Sequence, residues 1–492
     1  MKFSSIVDRH VKRKIAAVVL ASMLMNQFPV SVIAEPLSWE TGGGAVMEEQ
    51  AGPEAAVPAG AEEAAAGEPA SADTSGAGGE DTAEEAAGTQ DNVSYIDADG
   101  QTKTHSATAL AGNEESLTPG WYVVDHDITY SHSLYLNKQN GSGDFHIILA
   151  DNKTMQIGES SWSGINDGVG LGCAYDDSSK DDINLYIYAQ SSGNSAGQLN
   201  IYDSKNSDFD RSQIGDAINV DELTINGGTI NAIANGQCNY AINSAGNIII
   251  NGGNITANAR KDVGETDNYG LAIYSAGNLT INDGNVTAQS GGYGGHAVLV
   301  GDNGSFTINN GKLTAVATGS GGDGLNVDEN ININGGEIKA ESRSYGEGGG
   351  FGINTAGNIA FNGGQVTAKG VNAGIYASNS RKSLSLSWTE LTDFIEVNKF
   401  SIAGSVTIPV GKAFKDGSGK YYVQANAETI NGLTNVKLSA TADTIHAVNF
   451  ECGEYTPVPE MQLVKDGDNA TAPEHPAAGD TLPGGDVFVG WY

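Results

Sequence analysis

The sequence has few positive charges, few aromatic side chains and few cysteines. Against 60 Asp and Glu residues it carries only 25 Lys and Arg, which gives a formal net charge of −35 at pH 7. A chain this acidic repels nucleic acids and anionic lipid surfaces, so we expect neither as a partner. Aromatic residues make up 7% of the chain, whereas Gly contributes 67 of its 492 residues. Such a composition is typical of a turn-rich β architecture and not of a helical enzyme.

Other absences exclude several kinds of site. The three cysteines, Cys173, Cys238 and Cys452, form no Cys-x-x-Cys pair, so neither a zinc site nor a redox motif nor a disulfide framework is expected. The chain also lacks Gly-x-Ser-x-Gly, His-Glu-x-x-His and P-loop patterns. After the N-terminus, no apolar run reaches the roughly 18 residues that a membrane span needs.

The N-terminal region predicts export. Basic residues such as Lys2 and Arg9 precede an apolar run over 15–25, and Val32-Ile33-Ala34 has the small-residue spacing of a signal peptidase site. We therefore expect a signal peptide over 1–34 and an extracellular or cell-envelope protein; an N-terminal membrane anchor is the alternative. Residues 35–93, rich in Ala, Glu and Gly, predict a disordered acidic linker, because they offer little apolar surface to bury.

A repeat dominates the centre of the chain. Six ten-residue segments of the type Leu-Thr-Ile-Asn-Gly-Gly-Thr-Ile-Asn-Ala align without a gap, and successive copies are 25, 31, 27, 25 and 28 residues apart. A further short strand, of the type Ala-Ile-Asn, precedes each copy. Periods of this length indicate stacked structural units. We predict an all-β fold, a right-handed parallel β-helix with three strands per coil, over 94–445, with its clearest repeats over 217–377.

One asparagine per repeat occupies the same corner. In register, these amides can hydrogen-bond in a ladder along the stack, and the glycine two positions later suits a positive φ. Ligand binding is the alternative role, but a column filled in every coil favours a structural ladder. The ladder residues are Asn226, Asn251, Asn282, Asn309, Asn334 and Asn362.

The repeats vary in length only before the first strand of each unit. Insertions in solenoids map to one face, and that face often binds ligands. Aromatic residues occur there among Asn, Asp and Arg, a mixture that suits a polysaccharide, because sugar rings stack on aromatic faces and hydroxyls take hydrogen bonds. The alternative is that these residues only anchor the loops. The candidate ligand-binding residues are Tyr240, Tyr269, Tyr293, Tyr345 and Phe351.

Catalytic and metal sites have weaker support in the sequence. Asp302 and Asp328 fall on the same corner of neighbouring coils, which makes calcium the one cofactor for which we find candidate ligands. The acids do not form the cluster that β-helix hydrolases use, and His296 is the only histidine in the repeats. We therefore expect no catalytic residues and no enzyme; a polysaccharide lyase, or a hydrolase with a dispersed site, is the alternative.

Two families resemble parts of the chain. The Ala-Ile-Asn, Leu-Thr-Ile-Asn-Gly-Gly and Val-Thr-Ala pattern over 217–377 resembles the β-helical carbohydrate-binding domains of secreted Firmicutes proteins, which implies binding of plant cell-wall glycans and calcium. Residues 446–492, with Val448-Asn449-Phe450 and Phe488-Val489-Gly490-Trp491-Tyr492, resemble the Listeria–Bacteroides repeat, also called the internalin B-repeat. That resemblance implies a small β-grasp-like domain of the cell envelope. The repeat is incomplete here, because the chain ends at Tyr492.

These observations predict a non-catalytic surface protein with a carbohydrate-binding or adhesive module. The partner would be a polysaccharide or a glycan of a host or cell surface. A passive spacer that displays a missing C-terminal domain is a further alternative.

Overall fold

A computed structural model describes residues 88–138, 143–158, 169–173, 182–203, 216–234, 240–259, 270–292, 294–343, 350–423, 426–450, 458–474 and 476. The predicted signal peptide and most of the predicted linker lie outside these residues. The first strand begins at Thr89, so regular structure extends into 89–93, the last residues of the predicted linker.

The N-terminal part of the fold consists of eleven strands and one short turn of 3₁₀ helix, Gly193–Ser195. The strands are β1 (Thr89–Ile96), β2 (Thr102–Ala109), β3 (Ser116–Leu117), β4 (Gly120–Val124), β5 (Ile128–Tyr130), β6 (Leu134–Leu136), β7 (Asp144–Leu149), β8 (Thr154–Ile157), β9 (Val169–Gly172), β10 (Asn184–Ala189) and β11 (Gln198–Asp203).

The repeats follow as regular triplets of strands. These are β12 (Asp216–Val220), β13 (Glu222–Ile225), β14 (Thr229–Ala234), β15 (Tyr240–Ser244), β16 (Ile248–Ile250), β17 (Asn254–Ala259), β18 (Leu271–Ser275), β19 (Leu279–Ile281), β20 (Asn285–Ser290), β21 (Val298–Val300), β22 (Phe306–Ile308), β23 (Lys312–Ala317), β24 (Leu325–Val327), β25 (Ile331–Ile333), β26 (Glu337–Ser342), β27 (Phe351–Thr355), β28 (Ile359–Phe361), β29 (Gln365–Lys369) and β30 (Ala373–Ala377).

The C-terminal part contains the one α-helix of the described residues, α1 (Ala427–Asn431). Its strands are β31 (Ser383–Leu386), β32 (Phe394–Ile402), β33 (Ser405–Thr407), β34 (Phe414–Lys415), β35 (Tyr421–Tyr422), β36 (Thr434–Ala440), β37 (Ile445–Val448) and β38 (Gln462–Lys465).

Three parallel sheets form the walls of a β-solenoid, and each coil contributes one strand to each sheet. Within one coil, the chain passes first through the sheet that we call sheet B, then through sheet A and finally through sheet C. In the repeats, sheet B holds β12, β15, β18, β21, β24, β27 and β30; sheet A holds β13, β16, β19, β22, β25 and β28; and sheet C holds β14, β17, β20, β23, β26 and β29. The fold class predicted from the sequence, a parallel β-helix with three strands per coil, is confirmed.

The core is built from columns of identical or similar residues. In sheet A, Ile225, Ile250 and Ile281 pair in register and are all buried, and sheet C places Ala232, Ala257 and Ala288 in the same way. Alternation along each strand sends these side chains inward and the intervening threonines outward. Burial of each large aliphatic side chain contributes roughly 1.5–3 kcal/mol. No single strand is long enough to be stable, so the columns exist only through stacking.

The corner between sheets A and C carries the asparagine ladder. Nδ2 of Asn282 donates to Oδ1 of Asn251 at 2.7 Å, and Oδ1 of Asn282 accepts from Nδ2 of Asn309 at 2.7 Å. The same bond joins the other neighbouring pairs of the predicted column at 2.7 to 2.9 Å. Gly284 completes the corner with a φ of +96°, and a Cβ there would lie 2.8 Å from the carbonyl oxygen of Gly253. Only glycine fits both requirements.

Replacement of Asn282 by Leu should lower the free energy of unfolding by about 1–3 kcal/mol, because both neighbouring amides lose a partner. Thr280→Ala, on the outward side of the adjacent strand, should change it by less than about 0.5 kcal/mol. Urea titrations of both variants check this expectation. Equal shifts would mean that the ladder makes no specific contribution.

Antiparallel strands lie at the N-terminal end of the solenoid. The hairpin of β1 and β2 joins sheet A through β4, and Tyr95 packs against the Tyr188 ring, with 4.8 Å between centroids. Beneath it, Trp121 stacks between His105 and His146 at 4.2 and 4.0 Å. Burial lowers the pKa of His146 to about 4, so this ring is neutral at pH 7.

The C-terminal end is also antiparallel. Strand β36 pairs with β32, the last strand of sheet C, and β34 pairs with β36. The parallel stack thus ends at β33, within the region 94–445 that the sequence assigned to it as a whole. Beyond it, β37 and β38 form a separate two-stranded antiparallel sheet inside the region that resembles the Listeria–Bacteroides repeat.

Candidate functional site

The face of interest is the outer surface of sheet B beside the corner where sheet C leads into it. The variable segments of the repeats enter sheet B at this corner, so it combines a regular platform with irregular loops. One outward residue per coil forms a column along the platform, and none of these residues is charged. The column consists of Asn219, Asn243, Tyr274, Leu299, Asn326, Asn354 and Tyr376.

A buried carboxylate organises the first part of this face. Asp216 is fully buried at the start of β12, and its Oδ1 accepts the backbone N–H of Tyr240 in the next coil at 2.9 Å. Its Oδ2 accepts Nδ2 of Asn243. Asp216 therefore fixes the entry of β15, where the Tyr240 ring lies 5.6 Å from the Tyr274 ring at 37°. We call Asp216, Tyr240, Asn243 and Tyr274 the first unit.

A second buried carboxylate repeats the arrangement. Oδ1 of Asp323, which is 2% exposed, accepts the backbone N–H of Phe351 in the next coil at 2.9 Å. Its Oδ2 accepts Nδ2 of Asn354 at 2.9 Å and Nδ2 of Asn326 at 2.8 Å. The Phe351 ring stacks on Tyr376 at 4.2 Å and 10°. We call Asp323, Phe351, Asn354 and Tyr376 the second unit.

The aromatic rings of both units are half-buried, so each ring is anchored and still presents surface to solvent. The asparagines point their amide nitrogens at the carboxylates, which leaves their carbonyl oxygens to other partners. Among the described residues, no donor reaches Oδ1 of Asn243. Because this oxygen is buried, a ligand on the outer surface does not reach it.

His296 lies between the units and contacts the second one. Its Nδ1 accepts the backbone N–H of Asp323 at 3.0 Å and lies 3.4 Å from Oδ2 of that residue. Because Nδ1 is an acceptor, the proton of the neutral ring belongs on Nε2. Burial lowers the pKa of His296, so the ring is neutral at pH 7. In this state the histidine can donate one hydrogen bond and carries no charge.

The two carboxylates predicted as calcium ligands lie at the corner between sheets B and A. Asp302 has a φ of +49° and is exposed, and the backbone N–H groups of Asp302 and Asn303 donate to the carboxylate of Asp328. Burial raises the pKa of Asp328, and the charge of Asp302 raises it further. Within the described residues, no group of three or more His, Cys, Asp and Glu side chains has a metal-binding arrangement. The pair alone offers fewer oxygens than the 6–8 that calcium takes.

Of the five predicted ligand-binding residues, Tyr240 and Phe351 lie on this face, one in each unit. Tyr269, Tyr293 and Tyr345 lie outside the described residues. Sequence reasoning did not assign a binding role to Tyr274 or Tyr376. The sequence contained a signal for both residues. Each replaces the asparagine of the Ala-Ile-Asn strand, and in the preceding coil the same strand begins with an aromatic residue.

One of the comparisons with known proteins found a match. A protein-family model described as "Carbohydrate-binding domain-containing protein" matches residues 197–382, which include both units. No curated protein and no solved structure matched the chain. Within the described residues, no helix is long and apolar enough to cross a membrane. The match and the β-solenoid together support a carbohydrate-binding module in this part of the chain.

Proposed function

We propose that the solenoid is a non-catalytic carbohydrate-binding module of a secreted, cell-envelope-associated protein, and that it binds through the outer face of sheet B. The observation that carries the proposal is the pairing of half-buried aromatic rings, Tyr240 with Tyr274 and Phe351 with Tyr376, on a sheet whose described outward column contains no charged residue.

Sugar recognition follows from the chemistry of this face. The apolar C–H side of a sugar ring packs on an aromatic face, and each ring contributes about 0.5–1.5 kcal/mol in such contacts. Amide oxygens at the surface, such as those of the half-buried Asn326 and Asn354, accept hydrogen bonds from sugar hydroxyls. Rigid strands hold these groups before the ligand arrives, so little conformational entropy is lost on binding.

The contacts of His296 favour binding over catalysis. A general base oriented by a carboxylate donates its Nδ1–H to that carboxylate, which also stabilises the protonated ring. Here Nδ1 of His296 accepts a backbone N–H, and burial lowers its pKa. Asp323 is occupied by its four N–H donors from the backbone and from two asparagines. Neither residue is arranged to take a proton from a sugar.

The proposal that the protein is exported and located at the cell envelope rests on the sequence. A basic and apolar N-terminal region ends in Val32-Ile33-Ala34, an acidic linker follows, and 446–492 resemble a repeat of cell-envelope proteins. In this arrangement the linker separates the module from the site of export. N-terminal sequencing of secreted protein should begin at Glu35, and a chain that retains Met1 would contradict export with cleavage.

Retention on insoluble glucan and pectin columns tests the binding function. We expect the wild-type protein to be retained on at least one of them. Replacement of Tyr240, Tyr274, Phe351 and Tyr376 by Ala should reduce retention more than tenfold, since four stacking contacts of about 0.5–1.5 kcal/mol are lost. Tyr202→Ala, on the outer face of sheet C, is the matched control and should bind as the wild type does.

Other results would favour the alternatives or add to this proposal. Release of unsaturated or reducing sugars, abolished by His296→Ala, would favour a lyase or hydrolase. Retention on no glycan would leave the passive spacer as the better account. A chelator that weakens retention on pectin alone would assign a role to calcium at Asp302 and Asp328.

A further inference from the structure

The two units of the sheet B face are related by a simple translation along the stack. Asp216 is the first residue of β12, and Asp323 lies two residues before β24. Tyr240 and Phe351 start β15 and β27, and Tyr274 and Tyr376 lie in β18 and β30. In each comparison the two residues are four coils apart. With about 4.8 Å per coil, equivalent groups are separated by about 19 Å along the axis of the solenoid.

The equivalence extends to the hydrogen bonds. In both units, one carboxylate oxygen accepts the backbone N–H of the first aromatic residue, and the other accepts the asparagine three residues later. The second aromatic residue then occupies the column position next to that asparagine, as the pairs Asn243–Tyr274 and Asn354–Tyr376 show. Loops of different length lead into the strands, so the shared geometry does not follow from equal spacing in the chain.

Between the two units, the outward column of the described strands contains no charged residue. From Tyr274 the column runs through Leu299 and Asn326 to Asn354, and the neutral ring of His296 lies beside it. The negative charges of Asp216 and Asp323 are buried beneath the aromatic residues. The column offers no basic side chain that would pair with a uronate, and the net charge of −35 opposes a polyanion.

We infer that the first and second units are two equivalent subsites, and that one uncharged polysaccharide chain runs along the solenoid axis and occupies both at once. This inference rests on the proposed carbohydrate-binding function. Each aromatic pair stacks one segment of the ligand, and the intervening column contacts the sugars between them. Because the second contact is intramolecular once the first has formed, the polymer binds far more tightly than a short oligosaccharide.

Titration calorimetry of the full chain with cellobiose and with hydroxyethylcellulose, a soluble neutral polymer, tests the inference. Wild-type protein should bind two cellobiose molecules per chain. The double variant Tyr240→Ala/Tyr274→Ala and the double variant Phe351→Ala/Tyr376→Ala should each bind one, with unchanged affinity. The affinity of either double variant for the polymer should fall by about 100-fold, because the avidity of two linked sites is lost.

Controls separate this inference from the proposed function. Thermal melts should show that both double variants remain folded, and Tyr202→Ala should keep two cellobiose sites and full polymer affinity. One cellobiose per wild-type chain, full polymer affinity in a double variant, or preference for polygalacturonate over the neutral polymer would overturn the two-subsite inference and leave carbohydrate binding intact. A wild-type protein that binds no glycan at all would overturn the proposed function itself.

Discussion

Phe306→Ala is expected to lower the free energy of unfolding by about 3–5 kcal/mol. Phe306 is fully buried in sheet A, where it pairs in register with Leu279 on one side and Ile331 on the other. Removal of the ring leaves a cavity that the flanking coils cannot fill, because their positions are fixed by backbone hydrogen bonds above and below. The loss therefore includes both transfer free energy and the cost of the cavity.

The neighbouring residue provides a matched control. Thr307 lies next to Phe306 in β22 and faces outward, so Thr307→Ala should shift the free energy of unfolding by less than about 0.5 kcal/mol. Because a repeat fold can unfold in parts, hydrogen exchange of β19, β22 and β25 should accompany the denaturant titration. Protection factors that change equally along the whole solenoid would show that the coils do not lose stability locally.

Asp323→Ala should lower the free energy of unfolding about as much as Phe306→Ala, by roughly 3–5 kcal/mol, because it leaves several buried donors without an acceptor. The backbone N–H groups of Gly350 and Phe351, and the amides of Asn326 and Asn354, all donate to this carboxylate. The substitution removes the acceptor from two adjacent coils at once. We expect the loss of stability to centre on β24 and β27 and to disturb the Phe351 ring.

An exposed aspartate in another corner is the comparison for this substitution. Asp283 accepts a local bond from the N–H of Gly284, at 2.8 Å, and Asp283→Ala should change the free energy of unfolding by less than about 0.5 kcal/mol. Urea titrations of the two variants check the difference. If Asp323→Ala lowered the free energy of unfolding as little as Asp283→Ala, water would have to replace the carboxylate. The position of the start of β27 would then not depend on Asp323.

The repeated corner made the fold predictable. Each copy has an Asn, a Gly two positions later and an inward Ile, Val or Leu two positions after that. The copies align without a gap, so the register of sheets A and C follows from alignment alone. The ladder through Asn282 and the column through Ala288 are direct consequences of that register. Where the repeat stops, prediction stopped as well: the antiparallel hairpin of β1 and β2 lies outside the repeat and does not follow its pattern.

The site was only partly predictable, for a related reason. Aligned repeats place His296 one coil below Asp323, but sequence alone does not show that the loop path brings Nδ1 to the backbone N–H of that residue. Asp216 and Asp323 looked like ordinary loop acids, because a buried carboxylate is recognisable only by its donors. The binding role of Tyr274 and Tyr376 was missed because both occupy a regular position of the short strand in the repeat. The repeat pattern explained that position without a further role.

The antiparallel strands at the two ends determine what the edges of the stack can pair with. A parallel stack presents at each end the same hydrogen-bonding edge that joins its own coils, so bare ends of two molecules could join as fibril subunits do. The hairpin of β1 and β2 occupies the N-terminal edge of sheet A, and β36 occupies the C-terminal edge of sheet C. Another solenoid cannot continue the parallel register across either strand, so at these edges the number of coils is limited to those that one chain encodes.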